Sequence, residues 1–245
     1  MSHSRLIRKG IWQRLKDVAR ADVRFHLDFS EVIPDFDGSD VATGRVLALD
    51  AFKDCQLAFV TPDNSLTLLR QKMIEAGIPL VMSTYNIRRG FLYLEPGVVP
   101  RGAELFASWL EGMEHFAKPV SLEEIARKGR FDFAATGASA VSSRGIRFGK
   151  GHVYFDLEWG MFTDLGLMEE KTPVVSIVHD VQVTDENVIA SDLDIAIDMI
   201  ATPEKLIRVE RTERRPRGIR WDLLSKDQIL DIPPLAELAR IRGVL

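Results

Sequence analysis

The sequence predicts an α/β fold built on a mainly parallel sheet. Two observations carry that expectation. Short β-branched or apolar runs alternate along the chain with stretches of helical periodicity. The charged and glycine-bearing segments follow such runs directly, which is where open α/β sheets present ligand-binding loops.

Residues 6–18 are spaced as an amphipathic helix, with Ile7, Ile11, Leu15 and Val18 on one stripe. Arg5, Arg8, Lys9, Arg14 and Lys16 crowd the remainder, as a solvated face would. Residues 25–45 carry Pro34, Asp37, Gly38 and Gly44 and read as loop and turn, with 41–49 helical. Residues 57–61 form a short buried strand stopped by Pro62-Asp63-Asn64. Residues 66–76 are a helix ending at Gly77, and 78–82 the next strand. The loop Thr84-Tyr85-Asn86-Ile87-Arg88-Arg89-Gly90 follows at once. There Arg88 or Arg89 could clamp a substrate carboxylate or phosphate with two parallel bonds; a pair of solvated arginines is the plain alternative.

Residues 91–94 are a short apolar segment and 96–102 a turn-rich connection. Residues 105–113 and 122–127 read as helices, the second with Ser121 as its N-cap. Strands are expected at 131–136, 174–178 and 195–200, with a helix at 157–165. His179-Asp180, at a strand end, reads as a local hydrogen bond rather than a catalytic pair. The basic cluster in 204–220 is interrupted by Glu204, Glu210 and Glu213, which suggests a solvated connector. Residues 1–210 then make one α/β domain. Residues 211–245 are an extension packed back on it through Trp221 and its leucines.

One stretch concentrates chemistry. After the apolar run 131–136 comes Gly137, then the polar turn Ser142-Ser143-Arg144-Gly145, then Arg147-Phe148-Gly149-Lys150-Gly151 and Tyr154-Phe155-Asp156-Leu157-Glu158. Gly149 and Gly151 let backbone amides approach an anion closely. Arg147 and Lys150 add positive charge, and a carboxylate at Asp156 or Glu158 could hold a divalent cation. The set suits a nucleoside triphosphate with its metal. It is not a Walker A loop: Gly145 to Gly149 is one residue short, and Gly151 follows Lys150. It is not a dinucleotide fingerprint, because Tyr154 stands at the third glycine position. A glycine-containing hairpin with charged surface residues fits the spacing equally well.

Composition excludes several classes. Apolar residues make up 46%, charged residues 28%, and the net charge is −4. That balance belongs to an ordinary globular chain with no general pull towards nucleic acid or anionic membrane. A single cysteine, Cys55, rules out an internal disulfide framework and a cysteine-rich zinc site. No apolar run approaches membrane-spanning length, and no long apolar core follows the N-terminal charges. A cytoplasmic protein with no membrane or nucleic-acid partner is the expectation.

The glycine stretch resembles the signature of the 5-formyltetrahydrofolate cyclo-ligases, R-x-G-[RK]-G-x-G-Y-Y-D. Arg147, Gly149, Lys150, Gly151, Tyr154 and Asp156 fall in register, with Val153 at the last glycine and Phe155 at the second tyrosine. Downstream, 173–183 and 194–203 look like the family's closing strands. The resemblance is strongest to a divergent branch, the methenyltetrahydrofolate synthetase domain-containing proteins, and covers nearly the whole chain. It implies the three-layer α/β/α fold shared with sugar-phosphate isomerases and CoA transferases. It implies ATP and Mg²⁺ as cofactors and a reduced folate as substrate, cyclised from 5-formyltetrahydrofolate to 5,10-methenyltetrahydrofolate. In this chemistry the formyl oxygen attacks the γ-phosphorus, N10 captures the phosphorylated intermediate, and phosphate leaves.

Carried onto this chain, Arg5, Arg8, Arg147, Gly149, Lys150, Gly151, Tyr154 and Asp156 would bind the nucleotide. Arg147 and Lys150 would neutralise the transferring phosphate, and Asp156 and Asp198 would hold Mg²⁺. Tyr154 would also line the substrate pocket. Ser4 occupies the position of a phosphate-binding lysine, with Arg5 beside it. The glutamate that meets the pterin in the family has no counterpart before Leu57. Two other readings stay open: an enzyme on the same fold with an acidic substrate held by Arg88 and Arg89, and a non-catalytic nucleotide-binding or interaction protein.

Overall fold

A computed structural model of the chain describes residues 3–149, 154–186, 194–211 and 214–245, with side chains from Leu6 onward. In chain order the elements are α1 (His3–Leu15), α2 (Ser39–Leu47), α3 (Asp50–Lys53), β1 (Ala58–Val60), α4 (Thr67–Ala76), β2 (Leu80–Ser83) and β3 (Phe91–Leu94). Then come α5 (Glu104–Ser108), α6 (Leu110–Met113), β4 (Lys118–Val120), α7 (Leu122–Lys128), β5 (Phe133–Thr136), β6 (Ala140–Ser142) and β7 (Arg147–Phe148). The last are α8 (Tyr154–Asp164), β8 (Val174–Ile177), β9 (Val183–Thr184), β10 (Met199–Ala201), β11 (Leu206–Arg208), α9 (Lys226–Leu230) and α10 (Pro233–Ile241).

Eight strands form one sheet in the order β11-β10-β8-β5-β1-β2-β3-β4. The five from β10 to β2 are parallel, and β3, β4 and β11 add antiparallel edges. The fold is therefore α/β with a mostly parallel sheet, as the sequence predicts. Alternate side chains of each central strand enter opposite cores. Phe59, Val81 and Ala134 meet α7, α8 and α10 on one face. Ala58, Val60, Leu80, Met82, Phe133 and Ala135 meet α2, α3, α4 and α6 on the other. Two buried faces explain why these strands read as unbroken apolar runs rather than alternating ones.

Several local signals act as expected. Gly77 caps α4 in the left-handed region at φ 69°. Ser121 caps α7 in a reciprocal capping box with Glu124. Gly145, at φ 85°, turns the β6–β7 hairpin. This hairpin and β9 form a second, three-stranded sheet.

Other elements depart from expectation. The helix expected over 105–113 breaks into α5 and α6 at Trp109, which is extended at φ −82° and ψ 153°. The break folds Gly112 against α5, where a Cβ would lie 1.7 Å from the Phe106 carbonyl oxygen. The strand expected over 195–200 is only β10, and α8 already includes residues 154–156 ahead of 157. Of the basic cluster, Lys205, Arg208, Arg214, Arg217 and Arg220 are exposed as a solvated connector would have them, but the segment also supplies β11, and the Arg215 side chain is wholly buried. Residues beyond 211 pack on the core through Ile229, Leu235 and Leu238, with Trp221 partly buried.

The order of the sheet reverses at β1. The chain runs from β1 outward to β2, β3 and β4, then returns to place β5 on the other side of β1. Such a switch point leaves a crevice at the carboxyl ends of the strands. Arg70 of α4, fully buried, fixes that end of β1. Its guanidinium donates to Ser108 O at 2.6 Å, Thr61 O at 2.7 Å and Asp63 O at 3.0 Å. Burial pulls its pKa down to about 10, so it stays charged at neutral pH. Replacing it (Arg70→Met) strips donors from three buried carbonyls and is expected to cost at least about 3 kcal/mol. Urea unfolding of the variant checks this; an unchanged midpoint would contradict the anchoring role.

Candidate functional site

A cleft of about 670 Å³, including its open mouth, lies at the carboxyl ends of β1, β2 and β5. Its floor is built from the residues that leave those strands. Beyond β1, Asp63 accepts from the Thr61 hydroxyl at 2.5 Å and from the Gly137 amide beyond β5 at 2.9 Å. Beyond β2, the loop that carries Tyr85, Asn86 and Ile87 forms one wall. Asn86 and Ile87 sit at φ 54° and 58°. A β-branched residue there is strained, and such strain gathers at functional sites. Thr84 pins the loop, its hydroxyl donating to Gly90 O and accepting from the Arg89 amide, both at 3.0 Å. Val32 and Ile33 give an apolar wall, and Tyr154, Phe155 and Glu158 of α8 close the cleft.

The glycine stretch meets this cleft. Arg147 of β7 donates from Nε to Gly137 O at 2.8 Å and stacks over Phe155 at 5.0 Å. Arg8 of α1 reaches Gly149 O at 3.2 Å. Arg147, Gly149 and Tyr154 line the cleft together. Arg8, from the N-terminal helix, thus meets the same hairpin end that carries Arg147 and Gly149. Lys150, Gly151 and the side chain of Arg5 lie outside the described residues.

Asp156 is half-buried on the first turn of α8, with Oδ1 accepting from the Ile195 amide at 3.3 Å. Burial pushes its pKa up to about 6; Arg147 pulls it down and Asp194 pushes it up. Asp194, which sequence reasoning did not single out, is thus the carboxylate that Asp156 feels. Asp198 is engaged elsewhere. Its oxygens accept from Arg211 Nε at 2.7 Å, from the Val174 amide at 2.8 Å and from buried Arg215. Arg215 also binds Ala196 O at 2.7 Å and Thr172 O at 2.9 Å, with its guanidinium 4.9 Å from the Trp159 ring. Asp198 therefore ties the C-terminal segment to β8 and stands as a structural anchor where a metal carboxylate was expected. Among the described residues no three His, Cys, Asp or Glu side chains gather for a metal.

Arg88 and Arg89 also differ from expectation. Both are exposed, and Arg89 pairs with Glu114. Their loop lines the cleft, but through Tyr85, Asn86 and Ile87. His179 is a local cap, its Nδ1 accepting from the Val181 amide at 3.2 Å. Cys55 is buried, and burial pushes its thiol up to about 12, so it is no nucleophile.

Glu158 is the residue that sequence reasoning undervalued. It is 2% exposed, yet it lines the cleft. Burial pushes its pKa up to about 8; Ser83 pulls it down, and Asp63 pushes it up. A charged residue inside the apolar run of α8 was the available signal.

Comparison with known proteins places this geometry. The family model for the 5-formyltetrahydrofolate cyclo-ligase family matches residues 1–203. The chain belongs to that family. It is 32% identical over 236 residues to methenyltetrahydrofolate synthase domain-containing proteins of Mus musculus and Homo sapiens. The matches cover 95% of this chain and 62% and 60% of those proteins, so the chain spans about three-fifths of their length. The NMR structure of Aquifex aeolicus 5,10-methenyltetrahydrofolate synthetase superposes with a TM-score of 0.52 at 17% identity. That match covers 86% of this chain and 95% of the other, and it shows the shared fold. No helix among the described residues is long and apolar enough to cross a membrane.

Gly137 is the tightest point of the floor. A Cβ there would stand 2.8 Å from Ile33 Cγ2 and 2.9 Å from Asp63 Cβ. Gly137→Ala is expected to push both side chains into the cleft and to cost about 1–3 kcal/mol. A melting curve without that loss would contradict the close approach.

Proposed function

We propose that this chain catalyses the ATP- and Mg²⁺-dependent cyclisation of 5-formyltetrahydrofolate to 5,10-methenyltetrahydrofolate, in the cytoplasm. The observation that carries the reading is the convergence of Arg8, Arg147 and Gly149 at the cleft, with Asp156 and Asp194 beside them. Membership of the family supports it.

The residues present fit Mg·ATP. Two guanidinium groups on separate elements suit phosphate oxygens, which favour planar forked donors. Magnesium is commonly held by one or two carboxylates plus substrate phosphates rather than by a full protein cage. The Asp156–Asp194 pair suits that role, and a cation there would relieve the repulsion between them. Bound Mg·ATP would supply the transferable phosphoryl group and offset the charge developing on it. The chain's own part is alignment. Arg8 and Arg147 hold phosphate oxygens from two sides, with Lys150, Gly149 and Gly151 adding charge and amide dipoles. Tyr154 and Phe155 bound the folate side of the cleft, and the walls from Ile33 and Ile87 exclude water.

The test is formation of the methenyl chromophore from 5-formyltetrahydrofolate, ATP and Mg²⁺. The wild-type chain is expected to form it only when ATP is present. Arg147→Met and Asp156→Asn are expected to lower the rate at least a hundredfold while melting within a few degrees of wild type. Wild-type protein that binds Mg·ATP yet forms no product would defeat the assignment.

A further inference from the structure

Away from the cleft, large apolar side chains left on the surface gather at two cavities. Val23, Leu105 and Trp109, all exposed, line the first, with exposed Phe106 next to Leu105 on α5. This cavity, about 1160 Å³ with its open mouth, lies between residues 20–24 and helices α4, α5 and α6. Its lining sets four carboxyls (Asp22, Asp35, Asp40 and Glu111) against two guanidiniums (Arg20 and Arg24). Arg20 pairs with Asp35, and Arg24 with Asp22 and Glu111. Asp40, exposed on the first turn of α2, has no ion pair among the described residues. The second cavity, about 1170 Å³ with its mouth, is formed by α9, α10 and the segment before them. Exposed Leu230, Val244 and Leu245 line it, and exposed Ile241 follows Arg240 at the end of α10. The charged side chains of its described lining are Lys226 and Arg240, both exposed and without an ion pair among the described residues.

We propose that the chain associates head to tail with a second copy, the cationic, apolar end of α10 in one copy seating on the acidic, Trp109-bearing cavity of the next. Exposed apolar surface gathered in a patch marks an interaction site, and both patches have it. Their charges are opposite, with Lys226 and Arg240 on one and an excess of carboxyls on the other. Arg240 thereby gains Asp40 as a partner and the Trp109 ring as a face to lie on. Either patch paired with itself would set like charges opposite each other. The two patches also lie in opposite layers: α4 and α6 pack on one face of the sheet, α9 and α10 on the other. One copy therefore cannot join its own patches, and one neighbour cannot engage both. The contact is heterologous and builds an open chain or a ring of more than two copies. Arg24, Asn64 and Leu110 line both the acidic cavity and the cleft, so each neighbour abuts the outer side of the cleft wall. The inference is independent of the proposed reaction.

Sedimentation velocity of the full chain at low salt, from about 1 μM to about 300 μM, tests the assembly. Wild type is expected to form species larger than a dimer as concentration rises, and to lose them as salt is added. Asp40→Lys and Arg240→Glu, both at exposed positions, are each expected to weaken association at least about tenfold and to melt as wild type does. The two changes combined in one chain set Glu opposite Lys again, so the double variant is expected to regain association. Wild-type protein that stays monomeric throughout would overturn the proposal, as would association that stops at a dimer. Indifference to either single change would overturn it as well. Single variants that both dissociate, with a double variant that does not recover, would show that the two patches do not meet and would also defeat it.

Discussion

The carboxylate of Asp63 joins the two halves of the sheet where they diverge. It closes onto the Thr61 hydroxyl on its own side of the switch point and onto the Gly137 amide on the other. Beneath it, the buried guanidinium of Arg70 holds the carbonyls of Thr61 and Asp63 and ties them to Ser108. A parallel sheet opens a crevice wherever its strand order reverses. Here that crevice is given a fixed floor by one carboxylate and one buried arginine. Gly137 must lack a side chain because the two crossing segments meet at its Cα. Arg147 uses the carbonyl of the same residue, so the glycine hairpin is registered on the floor as well.

From that floor the two ends of the cleft follow. The hairpin brings cations and α8 brings carboxyls, and the two meet around Phe155. Arg147 lies over its ring and also lowers the pKa values of both Asp156 and Glu158. The C-terminal segment acts from behind. Arg215 fills the space between Trp159 of α8, the carbonyl of Ala196 and Asp198. It therefore joins the helix that carries Asp156 to the strand segment that carries Asp194. The segment beyond residue 203, which the family model does not reach, contributes this wedge.

Local signals in the sequence were legible where local physics decides the structure. Strand β1 with its Pro62 stop, helix α4 with Gly77, the Ser121 capping box and the Gly145 turn all follow from short-range chemistry. The convergence of Arg8 and Arg147 on the glycine stretch was legible through the family motif rather than through spacing. What stayed hidden was set by distant partners. Nothing near Asp198 in sequence reveals that Arg211 and Arg215 return to claim it. Arg89 is a plausible clamp until Glu114 comes beside it. The split at Trp109 depends on how closely α6 approaches α5. Glu158 read only as an alternative metal carboxylate to Asp156, because the sequence does not show which neighbours will bury it.

The central claim is that ligand binds in this one cleft, across the floor that Asp63 joins. Hydrogen–deuterium exchange with and without Mg·ATP and 5-formyltetrahydrofolate tests it most directly. The account predicts added protection in residues 61–64, 83–87 and 147–149, from three separate elements that meet only at the cleft. Protection confined to another face, or none in these segments while ligand is bound, would contradict it.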